Sequence, residues 1–276
     1  MRPTTRAVAS ARDVALEPRV VVVENGGGAA PSLPVGVRFV RLDENRGYAG
    51  GINAGLAALR DVDYDRVLLL NNDAVLERGT LRRLAEALDD DPRVAAVAAQ
   101  VLRDADGRVE SRGIRLDRRT GRVGLDGYGE AFEPGEGRID VDLLAGAVWM
   151  VRRAALEAIG PLDDAYFLYF EEVDWCLRAR AAGWRLQTVL GAVARHTGSL
   201  TLGERSPDRV YYATRNQLHV MARHLPARGI AGPLRSAAVV AFSALYASRH
   251  AGLRRGLPAV LAGARDYARG RFGPRE

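Results

Sequence analysis

The chain contains no lysine; arginine supplies all 40 of its non-histidine basic residues. Cysteine is nearly absent too. Cys176 stands alone, which excludes a disulfide-stapled scaffold and fits a reducing compartment. Long apolar runs are missing. Ser236 to Ser248 is the longest uncharged stretch near the C-terminus, and it falls short of the roughly 20 apolar residues a spanning helix needs. Met1 to Pro18 has arginines but no continuous apolar segment, so no secretory signal is expected there. Aromatic residues make up only 7%, yet four of them crowd into Tyr166-Phe167-Leu168-Tyr169-Phe170.

What is present is ordinary for a globular protein. Of 276 residues, 47% are apolar and 27% charged, which excludes disorder along the whole chain. A chain of this length buries roughly three quarters of its unfolded surface. The net charge of +6 suits phosphate-bearing substrates or anionic membrane surfaces, because the arginine fork binds phosphate bidentately. The arginines are scattered and form no recognised nucleic-acid module, so a nucleic-acid partner is not expected.

Hydrophobic patterning predicts an α/β chain. Arg19 to Glu24 is a β-branched run that reads as a strand buried on both faces, closed by Asn25-Gly26-Gly27-Gly28. Val37 to Leu42, Arg66 to Leu70 and Val94 to Val101 read as further strands. Helices are expected at Ile52 to Leu59, after the glycine-rich loop Asn45 to Gly51, and from an N-cap at Thr80 to about Leu88. The alternation predicts a mostly parallel sheet covered by helices. Arg103 to Gly137 is rich in Gly, Asp and Arg and reads as a long excursion of the kind that carries function or moves. Val141 to Val151 is expected as a strand, Arg153 to Ile159 and Glu171 to Ala182 as helices, and Trp184 to Val193 as a strand. Helical segments follow at Asp208 to His224, Ala231 to His250 and Leu257 to Arg271, with a boundary near residue 206.

In doubly wound sheets ligands bind where strands end. Three predicted strand ends carry polar clusters: Glu24-Asn25, Asn71-Asn72-Asp73 and Arg195-His196. Each alone reads equally well as a turn. Together they favour a ligand site, since a carboxylate directly after aliphatic residues is costly without a donor or metal. Asp73 and His196 pair a hard oxygen with an imidazole, a donor set suited to Mn²⁺ or Mg²⁺ with water and phosphate completing the shell. His219, His224 and His250 read as structural. Gly47, Gly50 and Gly51 allow close backbone approach and open a helix whose N-terminus favours anions. The aromatic wall before Glu171, Glu172 and Asp174 is an apolar setting that raises carboxylate pKa values toward those useful in proton transfer. Cys176 shares a stripe with Val173 and Leu177 and reads as core; Asp174 and Arg178, four apart, read as a surface ion pair.

These pieces stand together in the order of a known family. Val-Val-Val-Val-Glu-Asn-Gly-Gly, Glu44 to Gly55, Val-Leu-Leu-Leu-Asn-Asn-Asp, Ala145 to Leu156, Phe167 to Trp184 and His196-Thr197-Gly198-Ser199 resemble the motifs of the family 2 inverting glycosyltransferases of GT-A fold, especially the bacterial rhamnosyltransferase-like branch. The likeness runs over roughly residues 19 to 224. It implies a GT-A domain at 1–206, a Rossmann-like, mostly parallel sheet flanked by helices, followed by an α-helical region at 207–276.

The resemblance implies a metal-dependent transfer of a sugar from a nucleotide-diphosphate donor, dTDP-rhamnose or a UDP-sugar, to an acceptor hydroxyl on a glycan, a lipid-linked acceptor or a small molecule. Residue by residue, Glu172 matches the general base. Asp73 matches the metal and diphosphate contact, with Asn71 and Asn72 beside it, and His196 a second metal ligand. Glu24 and Asn25 match nucleoside contacts, Asn45, Gly50 and Asn53 shape the donor pocket, and Trp149 the acceptor floor. The implied location is the cytoplasm, at the inner face of the membrane if the arginine-rich C-terminal helices rest on it.

Two departures stand out. The family carries Asp where this chain has Glu172, one methylene longer. Nothing before Val20 matches the apolar strand with which the family opens. Either the start lies upstream, or the strand is replaced, or donor binding is lost. The two departures together motivate an alternative, a catalytically degenerate relative that binds a sugar nucleotide or a partner without turnover. An edge exposed at a normally central place is a liability, and a second copy covering it, in a homodimer, is the corresponding expectation.

Overall fold

A computed structural model describes residues 3–12, 16–27, 31–198, 206–227 and 229–275; Gly28 and Ser199, which close two of the loops singled out above, lie outside them. In chain order the elements are α1 (Pro3–Ser10), β1 (Val21–Asn25), β2 (Arg38–Leu42), α2 (Gly47–Ala57), β3 (Arg66–Leu70), β4 (Ala74–Leu76), α3 (Thr80–Asp90), β5 (Val94–Arg103), β6 (Val109–Ser111), β7 (Ile114–Asp117), β8 (Arg122–Leu125), β9 (Arg138–Asp140), β10 (Val148–Arg152), α4 (Arg153–Ile159), α5 (Glu171–Ala181), β11 (Arg185–His196), α6 (Pro207–His224), α7 (Ala231–His250) and α8 (Leu253–Ala268).

The main sheet has the order β3-β10-β5-β11-β4, with β6 on β5 and β9 on β11. β3, β5 and β11 share one direction: β10 runs antiparallel to both β3 and β5, and β11 pairs in parallel with β5. β4 runs antiparallel to β11. The period of two decides which side chains face which layer. Val148 and Met150 of β10, with Val97 and Ala99 of β5, meet Leu81, Leu84 and Leu88 of α3. Trp149 and Val151, with Ala96 and Ala98, enter the opposite layer with Trp175 and Cys176 of α5. Alanines dominate β5, and they let the helices approach closely on both sides of the sheet.

Several local expectations are corrected. α2 begins at Gly47 rather than Ile52, because Asn45 Oδ1 accepts the Gly47 N–H at 2.9 Å and starts the helix inside the glycine-rich loop. Thr80 is not the N-cap of α3. Gly79, at φ +81°, holds that place, and Thr80 Oγ1 instead donates to Val193 O at 2.7 Å and accepts from Val193 N at 3.0 Å. Only Val148–Arg152 of the apolar run from Val141 is a strand, although Leu143 and Leu144 are fully buried before it. β4 was not anticipated; three residues are too few for a period to show. The excursion after Arg103 is ordered by β6 and the β7–β8 hairpin.

β1 also departs from expectation. It pairs in parallel with β2 as a separate two-stranded sheet, and each of its residues is half-buried rather than buried. Among the described residues no strand stands between β1 and β3. A cavity of about 1590 Å³ opens there, lined by Val21 and Val23 of β1, Val67 and Leu68 of β3, Ala7 of α1 and Leu56 of α2. Beyond the sheet, α6, α7 and α8 pack on one another. Among the described residues no helix is long and apolar enough to cross a membrane.

Candidate active site

The chain turns sharply after β3. Ala74 N donates to Asn71 O at 3.1 Å, and Thr197 N donates to Asp73 O at 3.1 Å. β4 pairs with the end of β11 so that His196 stands opposite Ala74. Two residues 123 positions apart thereby meet: His196 Nε2 lies 3.1 Å from Asp73 Oδ1, and each residue is 9% exposed. On the other side of the ring Nδ1 lies 2.9 and 3.0 Å from the two oxygens of Glu110. Burial opposes a charge on this imidazole, but the bonds to Asp73 and Glu110 outweigh it and push the pKa up to about 10. Glu110 is a residue the sequence analysis missed. It falls in the excursion after Arg103, where only the alternation Val109-Glu110-Ser111 hinted at an ordered strand.

Asp73 and His196 fit a divalent cation in donor chemistry. Among the described residues no group of three or more His, Cys, Asp or Glu gathers around one centre. A divalent cation held here would draw on this pair and otherwise on phosphate and water oxygens. Asn71 Oδ1, buried without a partner two residues before Asp73, is a further unused oxygen in the same turn. Asn72 is exposed.

Glu24, Asn25, Asn45, Asn71, Asn72, Asp73 and His196 all line the large cavity. Glu24 accepts from Gly27 N at 3.2 Å and faces Arg41 at 3.8 Å. Asn25 bonds the start of α2, donating to Gly47 O at 2.7 Å and accepting from Arg46 N at 2.8 Å. Gly50, Asn53 and Glu172 do not line the cavity. Gly50 is buried where a Cβ would meet Arg46 Cβ at 2.5 Å. Asn53 staples α2 to the segment before α5 through Leu162 O at 2.8 Å, Leu162 N at 3.2 Å and Asp164 Oδ1 at 2.5 Å. Its amide is spent on the scaffold.

The aromatic run bends the chain in an unusual way. Phe167, Tyr169 and Phe170 have φ of +61°, +67° and +74°, a region that bulky side chains avoid. Neighbours hold them there. Tyr48 N donates to Phe167 O at 2.7 Å. From α6, Asn216 Nδ2 reaches Tyr166 O, Leu168 O and Tyr169 O, each at 2.8 Å, and Arg215 donates to Tyr166 O at 3.0 Å. The bend delivers Glu171 and Glu172 to the first turn of α5. Glu172 packs against Gly146, and its Oε2 is buried without a partner. Burial raises its pKa. Glu171 is raised well above the ordinary value too, by burial and by the adjacent Glu172 charge. Tyr48, also missed in the sequence, links the two halves: its hydroxyl donates to Gly146 O at 2.7 Å, and its pKa is raised by burial and by the charges of Glu171, Glu172 and Asp73.

Other expectations near α5 change. Asp174 and Arg178 do pair, at 2.7 Å, but Asp174 is fully buried and also bonds His224 Nε2 at 2.7 Å and Tyr166 Oη at 3.2 Å. Burial opposes its charge, yet these partners hold its pKa below the ordinary value. Trp149 is fully buried edge-on against Trp175 at 5.2 Å, so it presents no open floor. Cys176 is core: burial pushes its thiol up to about 12.

The sequence profile described as "Glycosyltransferase like family 2" matches residues 22–217. The chain belongs to glycosyltransferase family 2. The family 2 match runs from within β1 to within α6 and takes in every candidate site residue from Glu24 to His196. Among curated relatives, an N-acetylglucosaminyl-diphospho-decaprenol L-rhamnosyltransferase of Mycobacterium tuberculosis is 28% identical over 204 residues, 64% of this chain and 66% of that protein. The low-salt glycan biosynthesis hexosyltransferase Agl10 of Haloferax volcanii is 26% identical over 149 residues, 52% of this chain and 46% of that protein. The chain thus spans about half to two thirds of the length of these relatives. A mannosyltransferase from Pyrobaculum calidifontis, solved with GDP-Man and Mn²⁺, superposes with a TM-score of 0.53 at 16% identity, over 97% of this chain and 84% of that one. GalNAc-T7, solved with UDP, GalNAc and Mn²⁺, gives 0.54 at 12% identity, over 90% and 55%. The shared fold is GT-A.

Proposed function

We propose that this family 2 protein transfers a hexosyl group from a nucleotide-diphosphate sugar to an acceptor hydroxyl, with inversion and with a divalent cation bound between Asp73 and His196. The observation that carries the reading is the meeting of Asp73 and His196 at 3.1 Å on the wall of a cavity that also holds Glu24 and Asn25. Relatives named as hexosyltransferase and rhamnosyltransferase support it. So do similarly folded enzymes that hold Mn²⁺ beside a nucleotide or nucleotide sugar.

In this reading Glu24 and Asn25 hold the nucleoside, and Asn71 and Asp73 face the diphosphate. A bound Mn²⁺ or Mg²⁺ supplies positive charge that offsets what develops on the departing diphosphate. Glu172 takes the proton of the acceptor hydroxyl as that oxygen bonds to the anomeric carbon and the bond to the diphosphate oxygen breaks. Its raised pKa brings it closer to the working range of a general base. The fully buried neighbours Val173 and Trp175 exclude water behind it. The acceptor is lipid-linked or a glycan, and the protein works on the cytoplasmic side with its C-terminal helices against the membrane. Residues 207–276 act as a helical unit appended to the catalytic domain at 1–206, with α6 bracing the catalytic bend.

Calorimetric titration of UDP, dTDP and GDP with and without Mn²⁺ tests the reading. One nucleotide binds in a metal-dependent manner, and Asp73→Ala abolishes that binding. Metal-independent binding, or none at all, overturns it. The gap between β1 and β3 favours one alternative, a relative that binds the donor without turnover. Metal-dependent binding with no turnover of any donor on any acceptor would support it.

A further inference from the structure

Glu110 stands in a β-bulge. Along the β5–β6 ladder Val101 pairs with Ser111 and the next residue, Leu102, pairs with Val109, so Glu110 is the extra residue opposite no partner. Bulges re-aim a side chain and recur beside functional sites. Here both flanking residues point into the protein: Val109 is fully buried and Ser111 is 2% exposed. The inserted residue is turned the other way, and its carboxylate straddles Nδ1 of His196 at 2.9 and 3.0 Å. The other edge of β6 is pinned as well, by Val109 N donating to Glu130 O at 3.0 Å and Gly129 N donating to Val109 O at 2.8 Å. The bulge is therefore held from both sides.

We propose that Glu110 is a positioning residue for the divalent-cation site: it fixes the His196 ring so that Nε2 is turned toward Asp73. An ionised carboxylate only accepts hydrogen bonds, so the nitrogen facing it must carry a hydrogen. Nε2, 3.1 Å from Asp73, carries a hydrogen here by the same rule; a cation beside Asp73 would displace that hydrogen while Glu110 keeps the one on Nδ1, so that Nε2 is the ligating atom. Histidine ligands are commonly oriented in this way, and loss of the orienting carboxylate typically weakens metal binding about 10- to 100-fold. The backbone of His196 is already anchored through Asp104 N at 2.9 Å and the pairing with β4. Glu110 therefore has the remaining freedom to remove, the rotation of the ring. The inference rests on the metal reading above.

The test compares wild type, Glu110→Gln, Glu110→Ala and Asp73→Ala with Mn²⁺ in the presence of UDP. Free Mn²⁺ is followed by electron paramagnetic resonance, and the histidine nitrogen coupling by pulsed measurement. Both Glu110 variants bind Mn²⁺ about 10- to 100-fold more weakly with a diminished or lost nitrogen coupling, while their melting temperatures stay within a few degrees of wild type. Binding within twofold of wild type with the coupling intact in both Glu110 variants overturns the positioning role and leaves the metal reading standing. Wild type that holds no Mn²⁺, or holds it as well as Asp73→Ala does, overturns the metal reading and this inference with it. If Glu110→Ala melts early, Glu110→Gln decides, because it keeps the size and one acceptor of the side chain.

Discussion

Glu171 and Glu172 are adjacent carboxyl groups in one apolar setting, and burial raises both. Their roles separate under substitution. Glu172→Gln removes the proton acceptor while keeping its shape, so kcat falls by about 10²- to 10⁴-fold and nucleotide titration is unchanged. Equal kcat in the variant would remove Glu172 from the mechanism. Glu171 reports through stability instead. Its folded-state pKa lies above the ordinary 4.5, so the folded protein holds the proton more tightly than the unfolded chain. Its contribution is then fully present below about pH 4.5 and is lost as pH rises from there toward the folded value. Glu171→Gln lacks this loss. Melting curves of the two proteins coincide near pH 4 and separate above it, with the variant more stable. A constant difference across pH would contradict the assignment.

At the scale of elements, the bend at Phe167 to Phe170 is a strained segment held from outside. Left-handed backbone at three bulky residues costs on the order of 1–3 kcal/mol each. The compensating bonds come from Asn216 and Arg215 on α6 and from Tyr48 on α2. Asn216→Ala takes the side-chain donor from Leu168 O and Tyr169 O, while Tyr166 O keeps Arg215, and urea denaturation shows a loss of about 2 kcal/mol. Because the same bonds place Glu172, kcat falls in the folded variant while Mn²⁺-dependent nucleotide binding holds. Gly47 shows the same dependence from the other side. It sits at φ +71°, and a Cβ there would come within 2.0 Å of Phe167 O. Gly47→Ala cannot fit without moving the bend, so it lowers both stability and activity. A variant with wild-type melting and wild-type kcat would show that the two loops are not coupled.

For the molecule as a whole, two surfaces remain to be accounted for. On α7, Leu234 is 61% exposed, Leu245 49% and Phe242 39%, and their spacing puts them on one face. Exposed Arg254, Arg255, Arg265, Arg269 and Arg271 lie on α8 and just after it. Apolar residues on one helix with arginines on the next suit an anionic bilayer surface. Sedimentation with phosphatidylglycerol liposomes pellets the protein, and Leu234→Ser combined with Leu245→Ser reduces the pelleted fraction severalfold. Equal pelleting of both would sink the membrane contact. The second surface is the edge of β3, whose strand neighbour among the described residues is β10 on one side. If a second copy covers that edge, light scattering gives twice the mass of 29.9 kDa at micromolar concentration; a monomer there counts against it.

Much of this was legible in the chain because it depends on local order. Continuous Val and Leu runs between polar strand ends marked β1 and β3, and a Val and Ala run after Asp91-Pro92 marked β5. Gly183 marked the end of α5, and the aromatic run marked the three acids Glu171, Glu172 and Asp174, among which only the family resemblance singled out Glu172. These follow from backbone preference and hydrophobic period, which a short window contains. What no window contains is proximity. Asp73 and His196 meet only because β4 pairs with β11, and Glu110 reaches them only through a bulge in a segment that reads as loop. Asn53 shares its loop with Asn45 yet turns to the scaffold, since α2 starts at Gly47 and carries it to the far side. Asp174 and Arg178 lie a turn apart on any helix, and only the packing of α6 over α5 buries Asp174 against His224. The sequence by itself determined the elements and the residue types available at their ends. Tertiary structure decided which of those residues share a site, because long-range pairing and burial, not chain order, set the distances across which they act.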